Sequence, residues 1–303
     1  MPQIITGAYL DALFTGFKSV FNDAFKGVKP KWQRCAMEVS SSTSIETYAW
    51  LGQMPRIREW IGDRQINSLD TKGYVLRNRK FESTVGVPRT QIEDDVLGIF
   101  NPMIAEMGRS AAAFPDELVF LMALAGGFTQ PCYDGQNFFD SNHPVLDGNG
   151  KPVMVSNLQA GTGPAWYLMD TTRAIKPLIF QNRKKFDLIA KTDPRSSDSV
   201  FNRDEVVYGV DGRCNAGYGL WQLAFGSKQP LNTANFRAAL TAMMATNGDG
   251  GRPLGIVPNL LVVPNVLWSA ARDLIFAEKL ANGASNTDYK LVDIEMVEWL
   301  PNV

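Results

Sequence analysis

The chain has 303 residues, 45% hydrophobic and 20% charged, with 30 Lys plus Arg against 31 Asp plus Glu and a formal net charge of -1. At roughly 100–200 residues per domain this predicts two closely joined domains, large enough to fold without a disulfide or metal staple. A protein that grips nucleic acid by its phosphates carries a basic excess, so this balance argues against tight DNA binding and leaves at most a weak, non-specific contact.

Three distant cysteines, Cys35, Cys132 and Cys214, offer no CxxC pair and predict reduced thiols of a bacterial cytoplasm. The opening MPQIITGAYL lacks the basic start and apolar run of a signal peptide. No uninterrupted apolar segment approaches the ~18–20 residues that span a bilayer, so a soluble protein without a membrane partner is expected.

Along the chain, Leu10, Leu13, Phe14, Phe17, Phe21 and Phe25 recur at helical spacing until Gly27 and Pro30 end the run. That amphipathic helix needs an apolar bed, either its own core or a neighbouring subunit. Residues 35–50 read as short extended pieces with a break at Ser40 to Ser44. The stretch from Gln53 to Arg89 is basic, with Arg56, Arg58, Arg64, Lys72, Arg77, Arg79 and Lys80 against Glu59, Asp63 and Asp70. Its second half alternates through Phe81, Ser83, Val85 and Val87, and Asp70-Thr71-Lys72-Gly73 marks a turn. A long two-stranded excursion around a small Trp60 and Ile61 core is marginal alone, which points to a partner surface rather than a solvated hairpin.

Glu93-Asp94-Asp95 then suggests an acidic helix start. Val96 to Met107 forms an apolar stripe in which Pro102 kinks or delays the helix. Phe114-Pro115-Asp116-Glu117 reads as a restart with Pro at its first position. Leu118 to Leu124 is apolar all round and therefore buried, and Gly126-Gly127 stops it. The whole of 94–125 is expected to be one long, broken spine. Residues 128–165, rich in Gly, Asn, Asp and Pro, read as irregular surface loop. Strands are expected near Leu168, Ile179, Ile189, Val207 and Leu220, a helix over Asn232–Thr246, and a loop at Asn247 to Gly251. A buried strand over Leu260 to Val263, a helix over Val266 to Leu280 and a closing strand over Val292 to Trp299 follow. The class is α+β, with first and last segments meeting.

The chemistry-bearing motifs are missing. A single histidine, His143, allows neither HExxH nor a multi-His zinc site, and in FDSNHPV it reads as a polar turn residue. Asp134, Asp140 and Asp147 do not follow the EF-hand order and read as Asx turns. There is no Walker loop and no GxSxG elbow; Gly148-Asn149-Gly150 and Gly217-Tyr218-Gly219 lack the third glycine of a dinucleotide fingerprint. No cofactor is expected, and an enzyme would need a carboxylate-only active site.

Several long strings resemble the Mu-like phage major head subunit family: ETYAWLGQMPRIREWIGDR at 46–64, KFESTVGVPRTQIEDD at 80–95 and PDELVFLMALAGGF at 115–128. FDSNHPV at 139–145 and YGVDGRCNAGYGLWQLAFGS at 208–227 extend the likeness over nearly the whole chain. The resemblance implies the Hong Kong 97 capsid fold, with an N-terminal arm at 1–45 and an extended E-loop at 46–85. It also implies a P-domain spine with connecting loops at 86–165, a mainly A-domain part at 166–250 and a return to the P-domain at 251–303. Its implied partners are copies of itself in hexamers and pentamers of an icosahedral head around double-stranded DNA, with scaffold, portal and decoration proteins. The expected contacts are E-loop residues Arg56, Arg58, Trp60, Arg64, Lys72, Arg77 and Arg79 against acids such as Glu93, Asp94 and Glu117 of an adjacent copy. Lys72 reads as a solvated turn lysine, not a cross-linking one. The rivals are a minor head or decoration protein, and an enzyme; a scaffold would be more helical and charge-rich than a chain with 17 Pro and 26 Gly.

Overall fold

The computed structural model describes residues 6–49, 51, 73–94, 98–192, 198–280 and 282–302. Helix α1, Gly7–Gly27, starts where Thr6 Oγ1 accepts the Tyr9 amide. A single turn, α2 (Trp32–Cys35), leads into β1 (Ala36–Ser40). Strands β2 (Ile45–Tyr48) and β3 (Tyr74–Arg77) frame the basic excursion, and β4 (Arg79–Pro88) runs directly on. After α3 (Arg89–Asp94), α4 (Asn101–Asp116) continues through a π-helical stretch, Glu117–Leu124, and a 3-10 turn, Ala125–Phe128. Next come β5 (His143–Leu146), β6 (Pro152–Val155), β7 (Leu158–Gln159), β8 (Trp166–Met169) and β9 (Leu178–Lys191). Helix α5 (Asp198–Arg203), β10 (Glu205–Tyr218), β11 (Ala224–Ser227) and α6 (Thr233–Met244) follow. The chain closes with β12 (Asn247–Gly248), β13 (Arg252–Pro253), β14 (Leu260–Val263), α7 (Trp268–Phe276) and β15 (Asp293–Met296).

Two larger sheets organise these pieces. The first has the order β1-β9-β10-β4, and the second β15-β14-β8-β11-β7. In the first, β9 and β10 pair antiparallel over most of their length, β1 adds parallel at one edge, and β4 pairs with β10 from Pro88↔Glu205 to Arg79↔Cys214. The alternation read in residues 81–87 therefore serves this sheet, and the second half of the basic stretch has a partner in its own chain. The β14 and β15 strands join β8 and β11, so the second sheet takes strands from both sides of residue 250.

The N-terminal helix finds its apolar bed at home. Leu10, Phe17 and Phe21 are buried in one cluster with Ile104 of α4 and Leu188, Val206 and Tyr208 of the first sheet. Phe17 meets Tyr208 edge-on at 5.2 Å between ring centroids. The α1 and α4 backbones come close because residue 108 is glycine. A Cβ there would lie 2.5 Å from the Phe21 carbonyl oxygen.

The spine departs from its expected form at three points. The acids Glu93 and Asp94 lie within α3 instead of opening a helix, because the helix already starts after Pro88, and Gly98 at φ 68 precedes α4. Pro102 sits in the first turn of α4 as expected, but Pro115 lies inside the helix and restarts nothing. Without an N–H at Pro115 the helix loses one bond, and just beyond it the ladder widens to i→i+5, with the Ala125 amide on Phe120 O. The continuous helical run over 101–128 is long and apolar enough, by composition, to cross a membrane, although Glu106, Arg109, Asp116 and Glu117 keep it from being an unbroken apolar string. Its composition is that of a core helix: Leu118, Val119, Phe120, Ala123 and Leu124 are buried between the sheets with Phe138, Phe139 and Tyr167.

Residues 128–165 are more ordered than their composition predicts. They hold the β5–β6 hairpin and β7, and bury Phe138 and Phe139 completely. The strands expected separately near Ile179 and Ile189 are one strand, β9, and Leu220 precedes a 3-10 turn instead of forming a strand. Helix α7 is shorter than expected, and α6 begins as expected at an Asn232 cap. Helices α6 and α7 cover the second sheet through Phe236, Ala239, Met243, Ala271 and Ile275.

Candidate functional site

Strands β2 and β3, which flank the basic stretch in the sequence, pair from Ile45↔Arg77 to Tyr48↔Tyr74, and polar side chains brace this root against the first sheet. Tyr48 donates its hydroxyl to Gln181 Oε1 at 2.8 Å, and Gln181 Nε2 donates back to Leu76 O at 3.3 Å. Asn215 of β10 donates to Arg77 O at 2.7 Å, and the Tyr218 amide donates to the Tyr74 hydroxyl at 3.3 Å. Both strands of the root are thus fastened to β9 and β10 through buried or half-buried groups.

The turn before β2 is built on Glu46. Its Oε1 accepts from the Ser41 hydroxyl at 2.8 Å, the Ser42 amide at 3.0 Å, and the Thr43 amide and hydroxyl at 3.1 and 3.0 Å. The Ser41 hydroxyl first, then the Thr43 and Ser42 donors, hold the carboxyl down at about 2. Asn78, between β3 and β4, donates to Ser41 Oγ at 2.7 Å and Thr43 O at 2.8 Å, closing this turn onto the returning strand.

From the root, β4 crosses the spine of its own subunit. Phe81 packs on Phe114 at 4.6 Å, and Phe114 meets Phe186 at 5.7 Å. The Arg79 guanidinium lies 5.0 Å from the Phe81 ring centroid and donates to Met122 Sδ at 3.4 Å. Arg77 and Arg79 are exposed and Glu117 is half-buried. Among the described residues, none of these three has an ion-pair partner. Arg56, Arg58, Trp60, Arg64 and Lys72 lie outside the described residues, as do the side chains of Glu93 and Asp94.

Sequence reasoning missed two polar centres. One is Asp116, whose carboxylate accepts the Trp32 amide at 2.7 Å and the Lys31 amide at 3.2 Å, fixing α2 to the spine. Burial raises its carboxyl against the pull of those two amides. Beside it, Arg34 forks to Glu295 and Asp293, each at 2.8 Å, so the first and last segments meet as expected.

The other centre surrounds His143, which is fully buried in β5 and stacks on Trp221 at 3.9 Å. Its Nδ1 lies 2.7 Å from Asp134 Oδ2, and its Nε2 3.2 Å from Asn157 Oδ1. The turn reading is therefore corrected: two buried phenylalanines just before it draw the FDSNHPV segment into the core. Asp134, Asp140 and Asp147 do form Asx turns, accepting the amides of Gln136, Asn142 and Asn149. Burial pushes the Asp134 carboxyl up, but His143 and the Cys132 thiol together pull it below the usual carboxylate range. All three cysteines are buried, and burial pushes every thiol up, Cys35 and Cys214 to about 12 and Cys132 with the added push of the Asp134 charge.

Residues 10–300 match the family model of the Mu-like prophage major head subunit gpT. The major capsid protein of Escherichia phage Mu is 44% identical over 287 residues, 93% of each chain. The Mu-like prophage FluMu major head subunit of Haemophilus influenzae is 40% identical over 302 residues, 97% of each. Among solved structures, the procapsid of bacteriophage JBD30 superposes with a TM-score of 0.85 at 48% identity, covering 98% of this chain and 100% of that one. The JBD30 capsid gives 0.78 at 38%, covering 99% and 100%. With an α+β body of this shape and a near-full-length match, the chain belongs to the Mu-like phage major head subunit family and has the Hong Kong 97-type capsid fold.

Proposed function

We propose that copies of this chain assemble through hexamers and pentamers into a closed icosahedral head around double-stranded DNA. The observation that carries the reading is the root of the excursion. Tyr48, Gln181, Asn78 and Asn215 hold β2 and β3 in place, while the exposed Arg77 and Arg79 have no ion-pair partner among the described residues. A loop fixed at its base and charged beyond it suits contact with a neighbouring copy. In this reading Arg56, Arg58, Trp60, Arg64, Lys72, Arg77 and Arg79 face Glu93, Asp94 and Glu117 of that neighbour. Each subunit binds several others, so weak contacts add up through multivalency.

In this reading the N-terminal arm takes 1–45 and the E-loop 46–85, 86–165 supplies the P-domain spine with its connecting loops, 166–250 most of the A-domain, and 251–303 returns to the P-domain. The head forms in the host cytoplasm with scaffold and portal proteins, and a decoration protein is a further candidate partner. One JBD30 capsid structure is described as decorated with minor capsid protein trimers, which supports that candidate. DNA contact is weak and non-specific, the subunit catalyses no reaction, and Lys72 makes no covalent link.

Sedimentation velocity on the chain produced alone and with its phage's scaffold tests the reading. Large closed particles in at least one preparation are expected. A single 33.5 kDa species in both would refute assembly.

A further inference from the structure

Cys132, Asp134 and His143 place one donor atom each within 4.8 Å of one another. The first two belong to a tight turn closed by the Cys132 amide on Gln136 O, and the third opens β5.

Asn157 decides which histidine nitrogen faces it. The Asn157 Nδ2 group donates to Phe138 O at 2.8 Å, Ala224 O at 3.2 Å and Trp221 O at 3.4 Å, so the amide has one orientation only. Its Oδ1, which also accepts the Asp140 amide, is an acceptor, and His143 Nε2 must carry the hydrogen that points at it. Nδ1 is then the nitrogen turned toward Asp134, and the Trp221 stack fixes the ring plane. A metal-binding imidazole is held in this way, with one N–H given to an outer acceptor and the other nitrogen presented to the ion.

We propose that Cys132 Sγ, an Asp134 carboxylate oxygen and His143 Nδ1 bind a divalent cation of the zinc class. Sulfur, nitrogen and a single carboxylate suit a borderline ion and fail the all-oxygen demand of magnesium or calcium. A thiolate and a carboxylate neutralise the ion's two charges, so the loaded site adds no net charge to a buried region. On loading, the Cys132 S–H bond breaks and the proton held between His143 Nδ1 and Asp134 Oδ2 is given up, Sγ–metal and Nδ1–metal bonds form, and the two protons pass to solvent. Metal–ligand bonds of ~2.0–2.3 Å set tetrahedral donors roughly 3.3–3.8 Å apart. The present Nδ1–Oδ2 and Sγ–Oδ1 separations of 2.7 and 3.1 Å therefore have to open slightly, a small rotation for a turn aspartate. Water takes the fourth position. The ion would pin the 132–143 segment, which sequence alone reads as loop, against the second sheet.

Cobalt titration of the chelator-stripped, reduced, full-length protein tests this. The expected result is a thiolate-to-cobalt charge-transfer band that saturates near one equivalent, is displaced by zinc, and is lost in Cys132→Ser but retained in Cys35→Ser and Cys214→Ser. No band in the wild-type protein, or a band that survives Cys132→Ser, overturns the proposal. If Cys132→Ser does not fold, zinc content of the wild-type protein after equilibrium dialysis decides: about one ion per chain supports the site, and none refutes it.

Discussion

Replacing Gly108 by alanine sets two opposing effects against each other at the α1–α4 crossing. Alanine favours a helix interior over glycine by about 0.5–1 kcal/mol. The new Cβ, however, would stand 2.5 Å from Phe21 O and 3.2 Å from Phe21 C and Cα, all backbone atoms that cannot rotate away. A carbon–oxygen contact relaxes at about 3.3 Å, so α1 has to move out by roughly 0.8 Å, and a gap of that size forfeits a quarter to a half of each dispersion contact along the interface. Overpacking of this kind costs about 1–3 kcal/mol, which exceeds the propensity gain. Gly108→Ala should therefore destabilise the subunit by about 1–2 kcal/mol, or roughly 1.5–3 °C in Tm for a chain of this size. Gly16→Ala is the matched control. Gly16 lies on α1 with nothing within 4 Å of its would-be Cβ, so there the propensity gain stands alone and stability should rise by about 0.5–1 kcal/mol. Thermal and urea unfolding of the unassembled subunit measure both. A Gly108→Ala protein as stable as wild type would refute the close docking of α1 on its own spine.

Asn157→Leu strands the Asp140 amide and the Phe138 and Ala224 carbonyls in the core; a loss of about 3 kcal/mol or more is expected in urea unfolding, and a loss under about 1 kcal/mol would contradict the network. Glu46 titrates below its ordinary 4.5, so its contribution is present above that pH and is lost as pH falls toward about 2. Protection of the Ser42 and Thr43 amides, taken relative to their intrinsic exchange rates, should fall across that window in wild type and show no such step in Glu46→Gln. Reversing Arg56, Arg58, Arg77 and Arg79 together to glutamate should abolish particles in sedimentation while leaving the subunit's far-UV dichroism unchanged. Normal heads from this variant would remove the arginines from the interface.

What was legible in the sequence followed strong local periodicity. The α1 stripe from Leu10 to Phe25 and the alternation from Phe81 to Val87 both carry the period of the element they form. The partners were not legible, because they lie far away in the chain: β4 binds β10 more than a hundred residues on, and the first sheet threads strands from three separate regions. Pro115 misled because Pro followed by two acids is also the composition of a helix start, while a π-widened continuation has no composition of its own. His143 was misplaced by its Asn, Asp and Pro neighbours; the paired Phe138 and Phe139 were the available sign that this loop-like segment is anchored in the core. The root of the excursion was invisible for a similar reason. Tyr48, Asn78 and Gln181 are ordinary polar residues until folding sets them beside one another.

The central claim is that this subunit builds a shell by laying a basic loop, braced at β2 and β3, onto a neighbour. Electron cryomicroscopy of the assembled particles, at a resolution that traces residues 46–85, tests it most directly. The account predicts five- and six-fold capsomers in which the loop leaves its root and crosses onto an adjacent subunit's spine. Capsomers whose loop folds back on its own subunit, or preparations that contain only separate subunits, would contradict it.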